Sequence, residues 1–504
     1  MRRYSAGLLW SPVLVLIFGG AAASAGPSPD RWVEVRSTHF AVMTNAGEKD
    51  GRRIASQFER MHSVFRKLFP TQGDDSDPPI VVLAVKDRKA MQALEPEAYL
   101  GRNKVDLSGL FLRAPDRNYI LLRLDADEEH AFATVYHEYT HYMLRKAGDW
   151  LPLWLNEGLA KFYENTDIDE NEVRLGQTSA DDLRYLRENG MLPLATLLAV
   201  DIKSPYYHDE RKGSVFYAES WLLTHYLIVG DQALGTHRVH DYAQLLVEGA
   251  DPVAAAQRAF GDLDELQLLL NRYLLERRFT YFKIKGELTA KDSTFQVRAV
   301  PASEADVVRS NVLICSGRTK DAQTLLEAVL HDDPGNAPAH ETMGLLRFHE
   351  GDIEGAKKWY GEAAQLDPQS YLAHYYYAAM ALRAGGSGED DAIESSLRTA
   401  IELNPDYAPS YDTLAMFYAS RRRNLDQAQT LTLRAIELEP DNLSYRLNGA
   451  EVLAQARKFA SAVDVLKGAA RLARTPEEID AVRSRIQRFE RDQAALDRAH
   501  DGPR

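Results

Sequence analysis

One cysteine, Cys315, occurs in 504 residues. No intrachain disulfide can form, and no cysteine lies near the start where a bacterial lipid anchor would attach. The fold is compatible with an oxidising compartment but does not exploit it. Basic charge is also scarce: 60 Lys and Arg stand against 74 Asp and Glu, a formal net charge of −14. Phosphate backbones need clustered Lys and Arg, so this balance argues against nucleic acid as the main partner. Long apolar runs are missing too. The run from Leu8 to Phe18 is broken by Pro12 and falls short of the ~20 residues a spanning helix needs.

That short run has the form of a targeting segment. Arg2 and Arg3 precede it, Gly19 to Ala25 is small, and Ala23-Ser24-Ala25 suits a signal peptidase. The expectation is a signal peptide over 1–25, a mature chain from about Gly26, and a periplasmic or secreted protein with no membrane span after cleavage. The arginine pair lacks the rest of a twin-arginine pattern, which favours ordinary secretion. Losing Arg2 and Arg3 takes the formal charge from −14 to −16. A chain of this length exceeds one core, and two to four domains are expected.

What is present centres on Val135-Tyr-His137-Glu138-Tyr-Thr-His141. The pattern predicts an amphipathic helix over Ala126 to Lys146, with Asp127, Glu128 and Glu129 in its first turn and Gly148 placed to end it. Residues four apart share a helix face, so His137 and His141 can aim two imidazoles at one ion, with Glu138 beside them as a base. Pro152 restarts the chain, and a second helical run from Trp154 to Asn165 carries Glu157 early. Two histidines and a carboxylate form a standard catalytic zinc set that leaves a fourth position open.

With Trp154-Leu-Asn-Glu157-Gly-Leu-Ala following it, the motif resembles the gluzincin metallopeptidases, the clan of thermolysin and aminopeptidase N. Within that clan it is most similar to the peptidase-MA-like branch, whose members are often exported and joined to helical repeats. The resemblance covers roughly Trp32 to Glu287. It implies an α+β thermolysin/gluzincin-like catalytic domain, a small mixed sheet plus a helical lobe. It further implies one Zn2+ held by His137, His141 and Glu157, Glu138 as general base, and hydrolysis of peptide bonds in a peptide or protein substrate. In aminopeptidase-like members a tyrosine in a Tyr-x-Lys-Gly helix start binds the oxyanion. Phe216-Tyr217-Ala-Glu-Ser220-Trp221 sits at that spacing without the lysine and glycine, which makes Tyr217 the candidate. Tyr206, Tyr207 and His208, in a nearby Pro-containing loop, are alternatives. The family's Gly-x-Met-Glu-Asn strand is absent; Ser108-Gly109-Leu-Phe-Leu-Arg113 stands in that region. Internal cleavage is therefore favoured over aminopeptidase action, and an unpaired edge there could add a peptide by backbone hydrogen bonds.

Around the motif, Trp32 to Val35, Phe40 to Thr44, Ile80 to Val85, Gly109 to Leu112 and Tyr119 to Leu124 read as strands. Asp50 to Phe69 and Lys89 to Leu94 read as helices. His39 and His62 read as surface or packing residues, Trp221 and Leu222 as core, and Asp167 to Glu172 as an acidic loop before helices that run to about Lys285.

The last third is periodic. Pro334, Pro368, Pro405 and Pro440 each follow an acidic or amide residue at spacings of 34, 37 and 35. Gly344, Ala356, Tyr360 and Ala363 fall at the small and large positions of a tetratricopeptide repeat (TPR). About five hairpins are expected, beginning with a partial unit over Asp306 to Asp333, and their concave groove would take a protein or peptide partner. Tyr371, Tyr375, Tyr376 and Tyr377 are candidates for an aromatic patch there, the alternative being that Tyr377 and one other pack between helices. The domain reading is 1–25 signal peptide, 26–125 α/β subdomain, 126–287 zinc-binding helical subdomain, 288–475 repeats and 476–504 charged helical cap. The competing functional reading is a weak or inactive peptidase-fold scaffold acting as a TPR interaction module in the cell envelope.

Overall fold

The structure, a computed structural model, describes residues 31–68, 80–100, 107–114, 116–126, 128–146, 151–169, 171–201, 203–208, 210–285, 294–385, 388–473 and 476–501. The expected signal segment lies outside these residues. Among those described, no helix is long and apolar enough to cross a membrane.

Strands β1 (Trp32–Arg36), β2 (Phe40–Thr44), β3 (Ile80–Val85), β4 (Gly109–Arg113) and β5 (Asn118–Arg123) follow the apolar runs of the sequence. Together with β9 (Gln296–Val300) they form a mixed six-stranded sheet in the order β4-β5-β3-β2-β1-β9. The pairs β2–β3 and β3–β5 are parallel, the others antiparallel. Because side chains alternate along a strand, the sheet divides two cores. Val82 and Ala84 of β3 pack with Ile54, Phe58 and Phe65 of α1 (Glu48–Leu68). Leu83 and Val85 face the other way, against Ala305, Leu313 and Met343 of the repeats. The continuous apolar run of β3 is thus explained: both its faces are covered.

Helix α2 (Arg88–Gln92) follows β3, capped by the Asp87 side chain. Beyond β5 come α3 (Glu128–Lys146) and α4 (Leu153–Glu164), the two motif helices. The segment read as an acidic loop is a hairpin, β6 (Asp167–Ile168) and β7 (Glu172–Leu175), to which β8 (Phe282–Lys285) adds. Two of its carboxylates are paired: Arg174 of β7 reaches Asp167 across the hairpin and Glu172 on its own strand at 2.8 Å each, and Lys283 of β8 reaches Glu172 at 3.2 Å. Ile168 and Val173 are buried beneath. Acidic composition suggested a loop, but cross-strand cations and two buried apolar residues prevail.

The helical lobe continues with α5 (Ala180–Asn189), α6 (Leu194–Leu198), α7 (Pro205–His208), α8 (Glu210–Leu234), α9 (Arg238–Val247), α10 (Pro252–Phe260) and α11 (Leu263–Leu274). Trp221 and Leu222 of α8 are buried core.

The repeats are five hairpins: α12 (Ala302–Cys315) with α13 (Thr319–Asp332), α14 (Ala337–His349) with α15 (Ile353–Leu366), α16 (Tyr371–Arg383) with α17 (Asp390–Leu403), α18 (Ala408–Ser420) with α19 (Leu425–Leu438), and α20 (Leu443–Gln455) with α21 (Phe459–Ala469). The unit read as partial is a complete hairpin, and α22 (Pro476–Asp501) packs Val482 and Phe489 over the last one. The small–large steps of the sequence are contacts: a Cβ on Gly344 would lie 2.8 Å from the Tyr360 ring. The boundary read at 287/288 moves, since β9, lying beyond it, pairs along all of β1. The pairing is fixed by charge as well as by the ladder: nearly buried Glu34 accepts from Arg36 at 2.9 Å and from Arg298 at 2.5 Å.

Candidate metal centre

Helix α3 has two faces. Val135, Tyr136, Tyr139 and Met143 are buried against α1 and the sheet. Two of their hydroxyls are held: Gln57 Nε2 donates to Tyr136 at 2.7 Å, and Tyr139 lies 2.7 Å from His62 Nδ1. His62 stacks on His39, which pairs with Glu59 at 2.7 Å, so both histidines of that region are engaged in packing. The other face of α3 turns His137, Glu138 and His141 towards α4, with donor atoms of the three within 4.8 Å of one another.

Helix α4 reaches this face because Gly158 lets it sit on α8. A Cβ at Gly158 would come within 2.5 Å of the Ser220 carbonyl oxygen and closer still to Thr224 Oγ1. The close approach is backbone to backbone, which only glycine allows. Trp154 anchors the start of α4, its indole N–H donating to the buried Tyr242 hydroxyl at 3.2 Å. Glu157, 6% exposed, then points at both imidazoles.

The resulting triangle is tight. His137 Nε2 and His141 Nε2 are 3.2 Å apart, and Glu157 Oε2 is 3.4 Å from each. A coordination tetrahedron with bonds of ~2.0–2.1 Å has edges of about 3.3–3.4 Å, so the three atoms match one face of a zinc site. The nitrogens that face outward are held as well. His137 Nδ1–H donates to Glu164 at 3.1 Å, and His141 Nδ1–H donates to Asn156 Oδ1 at 2.5 Å. These bonds fix the tautomer that leaves both Nε2 atoms as ligands. Lys161 bonds Glu164 at 3.1 Å and Asp182 at 2.9 Å, completing a third layer.

The electrostatics ask for a cation here. Burial raises the Glu157 carboxyl, but hydrogen bonds from His137 and His141 outweigh it and bring it down to about 2. Burial also works against a charged His137, yet Glu157 and Glu164 lift it to about 9. With side chains alone, a proton on His137 satisfies the carboxylates; a metal ion would displace it.

Tyr217 lies in the second turn of α8, not at a helix start. Burial and the nearby Glu157 carboxylate push its hydroxyl above the ordinary range. Its hydroxyl donates to Tyr207, which donates in turn to Glu157. Tyr207 is therefore the tyrosine in contact with the triangle, and Tyr217 stands behind it. Tyr206 packs against the lobe core; the His208 side chain lies outside the described residues. Asn156 and Glu164 escaped sequence reasoning. Glu164 lies seven residues beyond Glu157 on the same helix face, a signal that was available.

Comparison with known proteins bears on two parts of the chain. Residues 131–236, which include most of α3, all of α4 and Tyr217, match a family described as "Protein of unknown function (DUF1570)". Residues 313–382 match the tetratricopeptide repeat family. No curated protein matches. Among solved structures, MamA from Desulfovibrio magneticus RS-1 is 16% identical, with a TM-score of 0.31 over 34% of this chain and 94% of that one. A thermophilic TPR protein of Thermus thermophilus is 22% identical, with a TM-score of 0.30 over 38% and 99%. YrrB, described as a TPR protein with an unusual peptide-binding site, is 16% identical, with a TM-score of 0.32 over 36% and 90%. By its match to the repeat family, the C-terminal part is a helical, TPR-like region of the kind that mediates protein–protein interaction. It is joined to an N-terminal part with a small mixed sheet.

Proposed function

We propose that this chain is an exported zinc-dependent metallopeptidase with a thermolysin-like catalytic domain, whose repeats recruit a substrate or partner. The observation that carries the reading is the triangle of His137 Nε2, His141 Nε2 and Glu157 Oε2, with edges of 3.2–3.4 Å and a hydrogen-bonded support behind each histidine. Export rests on the form of residues 1–25.

A bound Zn2+, held by His137, His141 and Glu157, would supply Lewis acidity. Glu138, adjacent to the ligands on the same helix face, takes the proton of the attacking water and delivers it to the leaving nitrogen. The Tyr207 hydroxyl donates to Glu157 and the Tyr217 hydroxyl to Tyr207; with Glu157 engaged by a metal, the Tyr207 hydroxyl would turn from it to the developing oxyanion, a contribution often worth ~3 kcal/mol. Strand β4 is the sheet edge and packs along α3, Phe111 lying 6.2 Å from Tyr142 between ring centroids. A peptide added to that edge lies beside the motif helix, which suits cleavage within a chain.

The test is hydrolysis of an unstructured protein by the zinc-loaded chain, wild type beside Glu138→Gln. Cleavage by the wild type and its loss in a variant that keeps its zinc supports the reading. Equal cleavage by both removes Glu138 as the base.

A further inference from the structure

Where the β4–β5 turn meets the concave side of the repeats, the chain encloses a hollow of about 690 Å³. Its walls come from both halves of the molecule. The turn contributes Asp116 and Arg117, closed by the Ala114 N–H donating to the Arg117 carbonyl at 3.1 Å. The repeats contribute Glu341, Tyr360, Tyr371 and Tyr376.

The tyrosines are continuous. Tyr360 stacks on Tyr376 at 5.0 Å, Tyr376 meets Tyr375 at 5.1 Å, and Tyr407 joins Tyr375 to Tyr371 at 5.1 Å each. Tyr377 is not part of this wall; it packs on Gly361 between helices. The charge of the hollow is lopsided. Glu304 is taken by Arg298, but Asp116, Glu341 and Asp367 share the hollow with Arg117, the one cation among its described lining residues. Arg117 bonds Asp116 at 3.1 Å, lines the hollow and keeps 39% of its side chain exposed. Burial pushes the Glu341 carboxyl up, although Ser370 donates to it at 2.8 Å and Arg117 lies nearby. A cation placed there would be attracted by aromatic faces and carboxylates together.

We infer that this composite hollow binds an extended basic peptide segment, one Lys or Arg side chain entering between the tyrosine wall and the Glu341 carboxylate. Arg117 is the internal cation that it competes with. An acidic segment would face three carboxylates, and an apolar one would leave them without a counter-charge. The inference goes beyond the catalytic reading and does not depend on a metal.

The test uses the full chain freed of metal by chelation. It is titrated against a short labelled Lys-rich peptide and its Glu-rich counterpart, and anisotropy is read. The Lys-rich peptide should bind more tightly by about tenfold or more, the size of one desolvated cation contact. Glu341→Gln should weaken it about tenfold, and Asp367→Asn, at the exposed mouth, should weaken it less. Arg117→Ala should tighten binding, because the competing guanidinium is gone. Equal binding of the two peptides, preference for the acidic one, or weaker binding by Arg117→Ala overturns the proposal. So does self-association of the chain that excludes the peptide. Failure here leaves the catalytic reading untouched, since no zinc is present.

Discussion

Polar side chains are held in opposite ways in the two parts of this protein. At the candidate metal centre, groups from four helices converge: His137 and His141 on α3, Asn156, Glu157 and Glu164 on α4, Tyr207 on α7 and Tyr217 on α8. Each is positioned by another polar side chain, and the whole is a charge-seeking cluster. In the repeats the helices are ordered by size, small residues facing large ones, as Gly344 faces Tyr360 and Gly449 faces Thr432. The first arrangement fixes a geometry suited to an ion. The second specifies a curved surface and tolerates change. One consequence is that single substitutions at the centre should change chemistry without unfolding the chain, whereas those in the repeats should change stability without changing chemistry.

The largest expected effect is on ligation. Glu157→Gln removes the charged ligand and should lower zinc affinity by more than the ~10–100-fold typical of an outer-shell loss. Competition with a chromophoric chelator would measure it, and an unchanged affinity would separate Glu157 from the metal. Next is the outer shell. Glu164→Gln and Asn156→Ala should each weaken zinc binding by ~10–100-fold while the fold persists. Circular dichroism beside the same chelator assay checks both halves of that statement.

A matched glycine pair sharpens the contrast. Gly158→Ala and Gly344→Ala both overpack a helix contact and should each destabilise by about 1–3 kcal/mol. Only Gly158→Ala should also lower zinc affinity, because it must push α4 from α8. Equal effects on zinc would erase the distinction between the two regions.

The smallest effect is in pH. Burial raises Asp412 of α18 to about 6 although Asn448 donates to it at 2.8 Å. A carboxyl whose folded pKa lies above its unfolded value of 3.8 contributes stability fully below 3.8, and loses it as pH rises through about 6. Asp412→Asn should therefore flatten the fall in Tm between about pH 4 and pH 6 by a few degrees at most. An identical fall in both proteins would mean that other groups set it.

The same contrast explains what was legible in the sequence. The repeats were readable because their period is local: Pro334, Pro368, Pro405 and Pro440 mark the hairpins, and Gly344 and Tyr360 occupy expected positions. His137, His141 and Glu157 were readable because helical spacing puts them on facing sides of two short helices, and the structure brings their atoms together. Tyr207 and Asn156 were harder, since their roles depend on how α7 and α4 meet the triangle in three dimensions. Strand β9 was hidden for the same reason: its partner β1 is far away in sequence, and five mostly exposed residues carry little pattern. The β6–β7 hairpin was masked by its acidic composition, which Arg174 and Lys283 neutralise only once the chain has folded.

The central claim is that His137, His141 and Glu157 hold a metal ion. Metal analysis of the purified chain, wild type beside His141→Ala, is the test. About one zinc per wild-type chain and a near-complete loss in the variant are expected. A wild-type chain that takes up no zinc when supplied with it, or a variant that keeps the full amount, would contradict it.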